Sequence, residues 1–157
     1  MHPIASAVYR LALALWVGGM SVFSFLVTPS IFRSQSPESA GKIVGAIFPV
    51  YFRFCLGAAV VALVARAAAG MAFSGARQLA GTALLVLSLT ILSYHTYVLA
   101  PRMAEVRETI DSRETVPEED LARREFSRLH GVSMTLNLVV IAAGTVLLLG
   151  YETLRKQ

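Results

Sequence analysis

Charge is what this sequence withholds. Asp, Glu, Lys and Arg make up 15% of its 157 residues, well below the roughly 25% of a soluble average, while 55% are apolar and mean hydropathy is +0.63. Four stretches carry no charged residue at all: 11–32 (22 residues), 54–65 (12), 78–101 (24) and 129–151 (23). Three exceed the roughly 20 residues that cross a hydrocarbon core of about 30 Å, and the second does so too if Arg53 is counted as its one interruption between Lys42 and Arg66. An ordinary soluble domain is excluded. With no carboxylate inside these segments, no nucleophile motif and no phosphate loop, conventional hydrolase chemistry finds no support. Cys55 is the only cysteine, so an internal disulfide is excluded and cysteine usage leaves the redox compartment open.

What remains is an all-α chain forming one integral membrane domain over 1–157. The expected fold is a four-helix transmembrane bundle, with helices at about 5–32, 42–69, 76–112 and 116–153. The first apolar run is longer than a signal-peptide core and no small-x-small pattern closes it before Pro29, so a retained helix is expected. Between the third and fourth spans the charged segment 102–128 is itself helical in pattern. Met103, Val106 and Ile110 recur at helical spacing, and "TVPE" at 115–118 is a capping-box pattern with proline in the first turn. Glu119/Arg123 and Asp120/Arg124 then stand at i,i+4. The fourth helix is thereby extended and partly extramembrane. A formal charge of +4 would suggest nucleic acid in a soluble protein. Here the basic residues sit mostly at helix ends, as orientation signals do, and nucleic acid is discarded.

Orientation follows from the short loops. We call side A the face that holds both termini and the 66–77 loop; it carries Arg10, Arg66, Arg77, Arg155 and Lys156 against Glu152 alone. Side B, the opposite face, carries eight basic residues mixed with nine acidic ones, so the two sides compete under the positive-inside rule. The crowding of the side A positives at the membrane with little else favours termini in the cytoplasm, with the bacterial inner membrane as the expected location.

Polar residues inside the spans are the functional candidates. His130, Ser133, Asn137, Gly144 and Tyr151 follow one another by three, four or seven residues and share one helix face. Gly81, Ser88 and His95 repeat at seven. The second helix offers Gly41, Gly45, Pro49, Arg53 and Gly57 at intervals of four, and the first Gly18, Ser21, Ser24 and Thr28. Small and polar stripes of this kind pack membrane helices together, so these faces are expected inside the bundle. At 1.5 Å per residue His95 lies about 10 Å inside Arg102, Asn137 about 13 Å inside Arg128 and Arg53 about 16 Å inside Lys42. The expected site is a cup in the side B half, lined by Arg53, His95, His130, Ser133 and Asn137, with Tyr51, Tyr94, Tyr97 and Met134 contributing. Trp16 reads as a packing or belt residue, and His2 as part of a frayed terminus.

"LALALWVGGMSVFSFLVTPSIF", "IFPVYFRF", "YVLAPRMAEVR" and "LHGVSMTLNL" together resemble a family of four-helix membrane proteins of unknown function that includes the platinum-resistance-associated transmembrane protein of animals. The resemblance touches all four helices. Its most specific element is His130, Gly131, Ser133 and Asn137. More distantly the layout is similar to four-helix copper-resistance proteins and to the membrane protoporphyrinogen oxidase that holds haem b with histidine. The resemblance implies the fold and supplies no activity.

The residues themselves support a redox reading and a binding reading. In the first, His95 and His130 hold haem b, Arg53 neutralises a propionate, and Asn137, Ser133 and Tyr94 complete the pocket. Copper(I) is the neighbouring idea, with His95, His130 and Met134 as ligands and Met20 within approach. In the second, the cup recognises an amphiphile, an anion or a metal ion without redox chemistry, and four helices being few for alternating access, transport implies a homo-oligomer. The lipid bilayer is the common partner, and a merely structural packing stripe is the plain third alternative.

Overall fold

The computed structural model describes the backbone over residues 3–112 and 116–154, with side chains described over 3–110 and 121–150. Four helices account for nearly all of it. Helix α1 runs Pro3–Ser34, α2 Pro37–Ala68, α3 from Ala76 to Ser112 and α4 Val116–Leu154. Each contains a stretch long and apolar enough to cross a membrane, so the protein is an integral membrane protein with an all-α four-helix fold. His2 and the cap at Thr115 lie outside the described residues, as do the side chains of Glu119, Asp120 and Tyr151.

Local chemistry sets the ends. Ser36 accepts a hydrogen bond from the Ser39 amide at 3.3 Å, and Pro37 takes the first helical position, so α2 starts on a side-chain cap. At its other end Gly70 adopts φ +71. The Gly70 amide then reaches the Ala67 carbonyl and the Met71 amide reaches that of Arg66, closing a Schellman motif that only glycine enters without strain.

Helices α1 and α3 each contain one π turn, at Phe23–Val27 and His95–Leu99. Both turns end two residues before a proline, Pro29 and Pro101. A proline inside a helix removes one donor and crowds the carbonyl four residues back. Widening the preceding turn relieves both problems.

The helices form a square. Neighbours pack as α1 with α2, α2 with α3, α3 with α4, and α4 with α1, while among the described residues no backbone approach occurs along either diagonal. Inside the membrane the contacts rest on fitted shapes rather than on apolar transfer from water. On α2 the inner face is small, with Cys55, Ala59, Ala62 and Ala65; α1 supplies Tyr9, Leu13, Trp16 and Met20 to the same core. Trp16 is fully buried and its indole N–H donates to the Met20 sulfur, making it a packing residue. Gly144 lets α4 approach α1: a Cβ there would stand 2.6 Å from Val17 Cγ2.

The square is not closed along its whole length. Among the described residues the backbone of α4 approaches that of α1 only along Pro3–Val22, and beyond it the two helices are joined by the side-chain bond of Asn137 to Ser24. The side B third of the α1/α4 seam is therefore open at the level of the backbone.

Gly144→Val should strain the closed part of that seam and destabilise the protein by about 1–3 kcal/mol. Gly18→Ala should be neutral or slightly stabilising, because nothing lies within 4 Å of a Cβ at Gly18. Thermal unfolding of the two variants in detergent checks both outcomes.

Candidate functional site: a polar-floored cavity in the side B half

A cavity of about 1470 Å³ occupies the side B half of the bundle. Its walls are mostly apolar, from Phe23, Phe48, Phe52 and Met103 among others. Both π turns contribute to it, Phe23, Ser24 and Phe25 from one and His95 from the other. Phe25 and Phe32 of α1 and Met134 and Leu138 of α4 line the cavity and are exposed, on the two sides of the open seam.

Polar residues gather at its floor in two joined sets. The Tyr51 hydroxyl on α2 donates to Asn137 Oδ1 on α4 at 3.0 Å, and Asn137 Nδ2 donates to Ser24 Oγ on α1 at 2.8 Å. Since α2 and α4 are diagonal neighbours, only a side chain as long as tyrosine makes this bond. Beside it, His95 Nε2 on α3 lies 2.6 Å from Ser133 Oγ on α4. The imidazole stacks on Phe52 of α2 with centroids 3.6 Å apart and is 1% exposed. His95 Nδ1 is buried with no hydrogen-bond partner.

The geometry of the cup differs from expectation in several places. His95, His130, Ser133, Met134, Asn137 and Tyr51 do line one cavity. Arg53 does not: it is exposed on the outer face of α2. Steps of four residues advance about 40° around a helix, so Arg53, three steps from Gly41, has turned about 120° away. Tyr94 and Tyr97 are also exposed, because positions next to His95 or two beyond it point elsewhere on the helix. Met20 is fully buried under Trp16 and does not line the cavity, so it does not approach the face of His130 and Met134.

The chain belongs to the DUF4149 family. The family model, described as a domain of unknown function, matches residues 11–112, which take in α1, α2 and α3 and thus Ser24, Tyr51 and His95. The chain is 30% identical over 148 residues to an uncharacterized protein of Aquifex aeolicus (strain VF5), covering 91% of this chain and 97% of that one. No solved structure matches it.

Two arginines escaped the reading of the sequence. Arg66, which had seemed a loop charge of side A, is 2% exposed at the end of α2. Its guanidinium donates to Thr82 Oγ1 (3.0 Å), the Tyr9 hydroxyl (3.0 Å) and the Gln78 carbonyl (2.8 Å), tying α1, α2 and α3 together. Gly81 makes room for it, since a Cβ there would fall 2.7 Å from Nη2. The signal lay in the inward register Cys55, Ala59, Ala62, which Arg66 continues and Arg53 does not. Arg107 on α3 lines the cavity mouth and donates to the Gly41 carbonyl on α2. It stands four residues after Met103, whose spacing with Val106 and Ile110 had already marked this stretch as helical.

The chemistry open to these groups is narrow. Ser133 and His95 hold a nucleophile–base distance, but Ser133 lies in mid-helix, where backbone amides are committed to the helix and offer no oxyanion hole. A static polar floor is the simpler account. Ser133→Ala should leave both His95 nitrogens unpaired and cost about 1–3 kcal/mol, whereas the double change with His95→Phe should recover most of that loss. Denaturant titration of the two variants distinguishes them.

Proposed function

We propose that this membrane protein binds a bilayer amphiphile, whose chain enters sideways through the open α1/α4 seam. The observation that carries the reading is the seam itself: a mostly apolar cavity of about 1470 Å³ is lined by Phe25 and Phe32 of α1 and by Met134 and Leu138 of α4, all four exposed, where the two backbones do not meet. Ligand sites combine apolar walls with a few fixed polar groups, and Tyr51, Asn137, Ser133 and His95 supply those here. The function is capture rather than a through-path. Toward side A the bundle is filled by Trp16, Leu13 and Leu85 and stopped by Arg66 with its three partners.

The redox alternatives draw less support from the same residues. Haem b or copper would need a His95 nitrogen open to the cavity. One lies against Ser133 and the other is packed away from solvent. His130 and Met134 share a cavity wall, yet Met20 is sealed off, and among the described residues no three His, Cys, Asp or Glu side chains gather to hold a metal. A likeness to copper-resistance or haem-binding proteins therefore adds no step to the mechanism we favour.

Two further assignments belong to this reading. Arg53 faces outward from α2 next to open space at Gly57, a costly place for a cation in lipid, which favours a homo-oligomer contact on that face. With the termini in the cytoplasm of a bacterial inner membrane, the cavity mouth opens on the outer leaflet.

Purified protein in mild detergent should retain a co-extracted amphiphile visible by native mass spectrometry. Ala104→Trp, which fills the cavity from α3, should lower that occupancy about tenfold or more without changing the melting temperature, since a buried indole occupies the volume the chain needs. Equal occupancy in the two proteins would contradict the proposal.

A further inference from the structure

Resting on the reading of the cavity as an amphiphile site, we infer that the bound molecule carries an anionic head, a phosphate or carboxylate, held by Arg107. The guanidinium of Arg107 reaches across from α3 to α2 at the cavity mouth, where Gly41 and Gly45 leave space for it. A Cβ at Gly41 would stand 2.9 Å from Nη2, and one at Gly45 3.3 Å from Nη1. Among the described residues its hydrogen bonding ends at the neutral Gly41 carbonyl, and no carboxylate lies within 4 Å of it.

A guanidinium has five N–H donors in a planar fork that matches a carboxylate or phosphate with two parallel bonds. One carbonyl leaves most of that capacity facing the cavity. Glu38 is bound to Lys42 at 2.7 Å and feels the Arg107 charge only at longer range, and Glu108, also on the rim, is exposed. Half-buried and, among the described residues, hydrogen-bonded to a single carbonyl, Arg107 offers an incoming negative charge donors that Lys42, paired with Glu38, does not.

Depth agrees with that role. Arg107 lies five residues beyond Arg102, the first charge after the third span, and so at the level of lipid head groups. From there to His95 at the floor is twelve residues of α3, about 18 Å. The cavity thus accepts a head at Arg107 and about 18 Å of chain below it. Fixed polar partners at the floor, already bonded to one another, impose no second charge on the ligand.

The test uses the full chain in a neutral detergent, titrated with two oleoyl probes that differ only in the head: oleoyl lysophosphatidate and mono-oleoylglycerol. Native mass spectrometry reads bound fraction for wild type, R107Q and R107K. The anionic probe should bind wild type about tenfold tighter, R107Q should abolish that preference while still binding both probes, and R107K should keep part of it. Inorganic phosphate alone should not compete at millimolar concentration. Equal affinity of both probes for wild type, or a preference that survives in R107Q, overturns the head-group inference and leaves the cavity reading standing. Full competition by phosphate also overturns it, making Arg107 a site for a free anion. If neither probe binds, the cavity reading falls as well.

Discussion

Inside a bilayer a polar group without a partner has no water to turn to, and this constraint organises the side B half of the molecule. Asn137 meets it by spending its oxygen on Tyr51 and its amide on Ser24, so that one side chain links three helices. His95 and Ser133 meet it with each other. These bonds replace backbone packing where the helices stand apart, and they let a large apolar volume persist above them without collapse. The side A half uses the opposite solution, small residues on α2 against large ones on α1, and is solid.

The arginines of α2 show how register decides the fate of a charge. Arg53 and Arg66 are thirteen residues apart, which rotates one about 140° from the other at 100° per residue. Arg66 continues the inward face and is satisfied by three partners; Arg53 falls on the outer surface. A plug on one side and an Arg107 at the mouth of the other give the bundle a polarity that no single span possesses. Under the amphiphile reading, the open seam admits a ligand from the membrane plane rather than from water alone.

Much of this was legible in the residues. Charge-free runs marked the four helices, because twenty apolar residues are what the hydrocarbon thickness demands. Spacing of seven found His95, and steps of three and four from His130 found Ser133 and Asn137, since such steps return to nearly the same face. The four-residue series through Arg53 misled because its drift of about 40° per step accumulates. Arg66 was hidden by its position at a helix end, where charge alone reads as solvated. The π turns carried a readable cue in Pro29 and Pro101, each two residues past the widened turn. The seam itself had none, because separation of α1 from α4 depends on how all four helices tilt.

The central claim is that a lipid chain lies within the bundle and not merely around it. Photolabelling in native membranes with an amphiphile that carries a diazirine near its chain terminus tests this most directly, read out by mass spectrometry of the labelled peptides. The account predicts adducts on Phe48, Phe52 and Met103, which face the cavity. Adducts confined to outer positions such as Leu11, Val60 and Val146 would contradict it.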